Sequence, residues 1–241
     1  MKSVCIVSVC ILSAAAALLP WQDAHAATND VTGLTPTLHV SYNASSVVND
    51  NGTGSLTVNN EGTPTYMDSP NGKAINTAIF TPYGNLTGVF AANTDFTISS
   101  YATLGTNPNG LMVHLRDDMG GLTGGLVLRR GSTNEVVLTL NAVSTPILST
   151  QVPCGDAAFH HYAVVATASG ITLYVDGFAR ASVPSNTIAV AKFAYQFGSR
   201  HGTVRAGEAK FGGKIDDFRV YSGALSAAQI ATLSASLASA A

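Results

Sequence analysis

A chain of 241 residues with 12 Lys and Arg against 14 Asp and Glu carries a formal charge of −2. That balance gives it no electrostatic pull toward nucleic acid or an anionic membrane surface. Only 11% of the residues are charged, and turn formers alternate with short β-branched runs, which excludes a basic nucleic-acid binder and predicts a packed β domain.

The first element is a leader. Lys2 is followed by an apolar run from Val4 to Leu19, Pro20 breaks it, and Ala24-His25-Ala26 offers small residues before Ala27. This is the pattern of a cleavable secretory signal peptide. The run falls short of the roughly 18–20 residues that span a bilayer. Removing residues 1–26 leaves 215 of the 241, expected to form one domain, 27–241, outside the cytoplasm (secreted or periplasmic). The leader takes with it Lys2 and Asp23, so the charge is unchanged, together with Cys5, Cys10 and the single tryptophan, Trp21. Cys154 is then alone, and no internal disulfide can form. Stability must come from the core.

Strands are predicted at Leu38–Tyr42, Lys73–Phe80, Phe96–Leu104, Leu111–Arg116, Leu126–Arg130, Glu135–Leu140 and His160–Ala168. Ile171–Val175 and Phe178–Val183 alternate around Asp176-Gly177. That dipeptide suits a type I′ hairpin turn, whose two central residues need positive φ. One helix is predicted near the C-terminus. Ser226 and Gln229 make a capping box, Leu225 and Ile230 a hydrophobic staple, and Ile230, Leu233 and Leu237 share a face.

Four segments in order resemble the laminin-G-like jelly rolls of the concanavalin A-like lectin/glucanase superfamily. They are VNDNGTGSL at 48–56, DFTISSY at 95–101, FHHYAVV at 159–165 with ITLYVDG at 171–177, and GKIDDFRVY at 213–221 with ALSAAQI at 224–230. Tyr101 and Phe159 stand where the family usually has tryptophan. The resemblance implies an all-β, two-sheet antiparallel jelly-roll sandwich with a short C-terminal helix, one curved sheet presenting a concave face. It also implies a structural calcium shared by Asp50 and Asn51 of the early loop and Asp216 and Asp217 of the closing strand. Hard oxygen donors of this kind suit that ion, although the loop is about one residue short and Thr53 replaces an expected asparagine.

Catalysis is hard to place. Glycoside hydrolysis usually needs two carboxylates flanking the bond, and Glu61, Glu135 and Glu208 are far apart in sequence. Asp117-Asp118 and Asp216-Asp217 are adjacent, and strand neighbours point to opposite faces. His160-His161 fails as a metal pair for the same reason, and one of them is expected in the core. Tyr195, Arg200 and His201 form the one cluster that a polysaccharide lyase could use. Without tryptophan, Tyr66 and Tyr83 are the leading candidates for stacking on sugar. The leading expectation is a secreted non-catalytic binding module for carbohydrate or a cell-surface partner. The alternatives are a secreted carbohydrate-active enzyme (lyase or glycosidase) and a structural or self-assembling surface domain.

Overall fold

In the computed structural model, the described residues are 32–43, 55–61, 64–77, 81–87, 95–105, 107, 110–116, 126–132, 135–140, 148–149, 157–184, 193–197 and 211–238. The leader, Asp50, Asn51, Cys154, Arg200, His201 and Glu208 lie outside them.

Among the described residues, fifteen strands and one helix follow in chain order. The first seven are β1 Leu38–Val40, β2 Ser55–Glu61, β3 Tyr66–Ser69, β4 Gly72–Asn76, β5 Thr81–Thr87, β6 Phe96–Thr103 and β7 Leu111–Arg116. Then come β8 Leu126–Arg130, β9 Val136–Leu140, β10 Leu148–Ser149, β11 Phe159–Thr167, β12 Gly170–Val175, β13 Phe178–Val183, β14 Phe193–Phe197, β15 Lys214–Tyr221 and α1 Ala227–Ala238. They form two antiparallel sheets. The first runs β13-β12-β11-β6-β15-β4-β3 with β1 added on β15, and the second runs β10-β9-β8-β7-β14-β5-β2. This is the expected jelly-roll sandwich.

Alternation builds the core between the sheets. Phe96 and Ile98 of β6, Tyr162 and Val164 of β11, and Ile171, Leu173 and Val175 of β12 face Met112, Leu126, Leu128, Val136 and Leu138 of the second sheet. The residues between them point outward. Tyr101, Ala163, Val165, Tyr174 and Tyr221 meet Leu225, Ile230, Leu233 and Leu237 in a second cluster, so α1 covers the outer face of the first sheet.

The local expectations hold. Asp176 and Gly177 have φ of 52° and 81°, as a type I′ turn requires. The Gln229 N–H donates to Ser226 Oγ at 3.3 Å, and the Ser226 N–H donates to Gln229 Oε1 at 2.9 Å. Both orphan donors of the helix start are thereby satisfied.

Candidate functional site

Strand β15 is unusual because it changes partner along one edge. Lys214 and Ile215 pair with β4, whereas Phe218–Val220 pair with β1. On the other edge its register with β6 slips between Asp216 and Arg219. Asp217 takes a φ of 46° there, so the strand bulges at the two aspartates. Ile215 and Phe218, three apart, both enter the intersheet core. The bulge cancels the period-two rule that would send adjacent side chains to opposite faces.

The aspartates then take different partners. Asp217 is 1% exposed. Its Oδ1 accepts from Arg219 Nε at 3.2 Å and Nη2 at 3.0 Å, and lies 2.5 Å from His39 Nε2. Burial pushes the Asp217 carboxyl up, but the Arg219 guanidinium and the His39 hydrogen bond outweigh it and hold the acid well below the usual carboxylate range. Asp216, also 1% exposed, has no cationic contact of this kind among the described residues. Its Oδ1 accepts from the Asp217 N–H at 2.7 Å, and its Oδ2 accepts from the Ser69 hydroxyl. Burial and the charge of Asp217 push its carboxyl well above the ordinary value.

The β3–β4 turn closes over Asp216. The Asn71 N–H donates to Ser69 Oγ at 3.1 Å, and the Lys73 N–H donates to Asn43 Oδ1 at 2.9 Å. Gly72 has φ of 121°, and a Cβ there would lie 2.0 Å from Asn43 Oδ1, so this turn needs glycine. Asn71 is 2% exposed, yet neither Oδ1 nor Nδ2 of its side chain has a partner. Buried amides are normally satisfied.

These features fit a hard cation: a buried carboxylate with no salt bridge to a described residue, and an orphaned amide oxygen on Asn71, whose own N–H reaches Ser69. Among the described residues no three His, Cys, Asp or Glu side chains converge on one point, and Asp50 and Asn51 lie outside those residues. His39, Ser69 and Asn71 were not singled out by sequence. His39 lies 178 positions from Asp217, and no local pattern links them.

The paired histidines divide as expected. His161 is 1% exposed and its Nε2 lies 2.8 Å from Ser99 Oγ. His160 Nδ1 lies 2.7 Å from Asp176 Oδ2, and the His161 N–H donates to Asp176 Oδ1 at 3.0 Å. Asp176 therefore fixes both histidines as well as shaping the turn. Asp95 Oδ1 accepts from the Ala168 N–H at 3.0 Å.

Of the aromatic candidates, Tyr101 and Phe159 stack with centroids 5.2 Å apart and belong to the outer cluster under α1. Tyr66 is half-buried against the main core. The side chains of Tyr83 and Tyr195 lie outside the described set, as do Arg200 and His201 of the lyase-like cluster. Phe178, which sequence did not single out, is 67% exposed, with the Arg180 guanidinium 5.5 Å from its ring centroid.

A search of curated proteins gives no match. Among solved structures, domain 4 of AbnA, a GH43 extracellular arabinanase from Geobacillus stearothermophilus in complex with arabinotriose, is 21% identical with a TM-score of 0.62. The match covers 83% of this chain and 98% of that one. Botulinum neurotoxin type C, whose cell entry depends upon interaction with two ganglioside molecules, is 15% identical with a TM-score of 0.66. That match covers 89% of this chain and 53% of the toxin structure. The binding domain of Paraclostridial Mosquitocidal Protein 1 is 14% identical with a TM-score of 0.65, over 86% of this chain and 53% of that one. The chain thus spans about half the length of the two toxin structures, and at these identities the likeness shows the fold alone. Among the described residues no helix is long and apolar enough to cross a membrane. The family model Laminin_G_3 matches residues 71–231, from the β3–β4 turn over Asp216 to the first turns of α1, and the chain belongs to this family of the concanavalin A-like lectin/glucanases superfamily.

Proposed function

We propose that this protein is an exported, non-catalytic binding module that recognises a carbohydrate or a cell-surface partner. The observation that carries it is the match to AbnA domain 4 over 98% of that chain, a unit of the same extent bound to arabinotriose. The acids of the closing strand support the same reading. Asp216 and Asp217 are sealed into the fold at 1% exposure, where neither reaches the bond of a bound polysaccharide. Export rests on the leader at residues 1–26, and an extracellular arabinanase among the fold's neighbours supports it. On a broad glycan array supplemented with cell-envelope fractions, the protein is expected to bind a defined subset without turning it over. Absence of binding to every glycan and envelope fraction would overturn the reading.

Calcium is part of this proposal, with Asp50, Asn51, Asp216 and Asp217 as its set. Asp216 is the direct carboxylate ligand, Asn71 adds its amide oxygen, and Asp217 keeps Arg219 neutralised beside it. Bound calcium supplies charge neutralisation and ties the early loop to the closing strand. A ion that binds the folded form stabilises it by mass action. Excess calcium is therefore expected to raise the thermal midpoint by several degrees, chelator to reverse the rise, and Asp216→Asn to abolish it. An unchanged midpoint in wild type would remove calcium from the proposal.

A further inference from the structure

A groove of about 610 Å³ lies on the outer face of the first sheet, between the β11–β12 hairpin, the end of β13 and the start of α1. Its size falls within the roughly 300–1,000 Å³ of small-molecule sites. Six hydroxyl-bearing residues, Thr167, Ser169, Thr172, Tyr174, Ser182 and Ser226, share its wall with Val165, Leu225 and Pro184. Among the described residues no Asp, Glu, Lys, Arg or His lines it.

From this composition we infer that the groove is the glycan-binding site of the module and that it takes a neutral saccharide. The inference rests on the binding-module reading and adds the place and the charge class. A sugar unit presents hydroxyls at its rim and C–H groups on its face, and the groove offers the complement of both. Serine and threonine hydroxyls donate and accept, so they match sugar hydroxyls in either direction. A uronic or sialic acid finds no cation among the described lining residues, and burying an unpaired carboxylate is costly. A wholly apolar ligand would instead leave the hydroxyls unpaired.

The rim is already set. Thr167 Oγ1 lies 2.9 Å from Ser169 Oγ and donates to the Gly170 carbonyl at 3.2 Å. Ser226 is held by Gln229, whose Nε2 donates to the Thr32 carbonyl at 2.5 Å. The hydroxyls of Thr172 and Ser182 make no hydrogen bond to another described residue and are half-buried and exposed, respectively. They face the ligand already placed on strands, which lowers the ordering cost of binding. Phe178, at the opposite end of the β12–β13 hairpin, is the competing aromatic platform, exposed but with the Arg180 guanidinium 5.5 Å from its ring centroid.

Arabinotriose and cellotriose serve as neutral probes, with trigalacturonate as the anionic one, in calorimetric titrations of the whole protein with calcium present. At least one neutral trisaccharide is expected to bind, with trigalacturonate at least tenfold weaker. Thr172→Arg and Ser182→Phe, which crowd the groove, should each weaken the neutral probe tenfold or more at an unchanged thermal midpoint. If both variants bind like wild type, or if Phe178→Ala alone abolishes binding, the groove is overturned while the module reading stands. Preference for trigalacturonate overturns the neutral class. Failure of both neutral probes overturns the saccharide occupant, and the envelope fractions then decide whether the module reading survives it.

Discussion

Arg219→Met is expected to lower the free energy of unfolding by about 3–5 kcal/mol, the usual cost of removing one partner from a buried ion pair. Arg219 is fully buried and Asp217 is 1% exposed. Methionine fills much of the volume but leaves the carboxylate facing His39 alone at 2.5 Å. Asp217 must then either stay charged in a poorly screened site or take up a proton against the tendency the guanidinium now enforces. Arg219→Lys is not a mild change here, because one ammonium cannot reproduce the paired Nε and Nη2 contacts. The double variant Arg219→Met with Asp217→Asn should recover part of the loss, since both charges leave together. Urea midpoints at constant slope measure each step. A loss below about 1 kcal/mol for Arg219→Met would mean that the cluster is solvated and that the bulge, rather than the ion pair, organises β15.

Much of this fold was legible wherever local chemistry decides structure. The Asp176-Gly177 turn, the Ser226–Gln229 cap and the alternating strands β6, β11 and β12 needed nothing beyond their own residues. Strands β2, β3, β5 and β10 escaped the strand reading. β5 reads TPYGNLT, with a proline and a glycine that argue against a strand. Pairing supplies what propensity lacks: β5 lies between β14 and β2, and the β14 register ends at Tyr83, so Pro82 owes that neighbour no N–H. The site was half legible. Sequence placed Asp216 and Asp217 together on the closing strand. It could not foresee that a bulge gives one of them Arg219 and His39 and the other Ser69: His39 comes from β1 and Ser69 from the end of β3, and Arg219, two residues on in β15 itself, meets Asp217 where the bulge breaks the strand's alternation. Asp50 and Asn51, the other half of the proposed calcium set, lie outside the described residues.

His161 should make stability fall on the acid side of neutrality. Its ring is 1% exposed beside Ser99, and burial pushes its pKa down to about 4, a shift that the Asp217 and Asp176 charges only partly oppose and the Arg219 charge reinforces. An unfolded histidine titrates near 6.5. Between those values the unfolded chain binds a proton that the folded one refuses. Stability is therefore complete above about pH 6.5 and is lost as pH falls toward 4, at about 1.4 kcal/mol per pH unit and on the order of 3 kcal/mol in all. Asp216 acts in the opposite direction: its raised pKa gives stability at low pH that is lost as pH rises. Asp176 and Asp217, both held below their ordinary values, lose their contribution only as pH falls below about 4. The raw profile mixes these effects, and subtracting a His161→Gln variant isolates the ring, since glutamine keeps a partner for Ser99 but does not titrate. The difference in unfolding free energy between wild type and variant should be flat above pH 6.5 and slope steadily below it. A flat difference down to pH 4 would mean that His161 accepts its proton inside the fold, and that the outer face of β6 and β11 is open enough to hydrate an imidazolium.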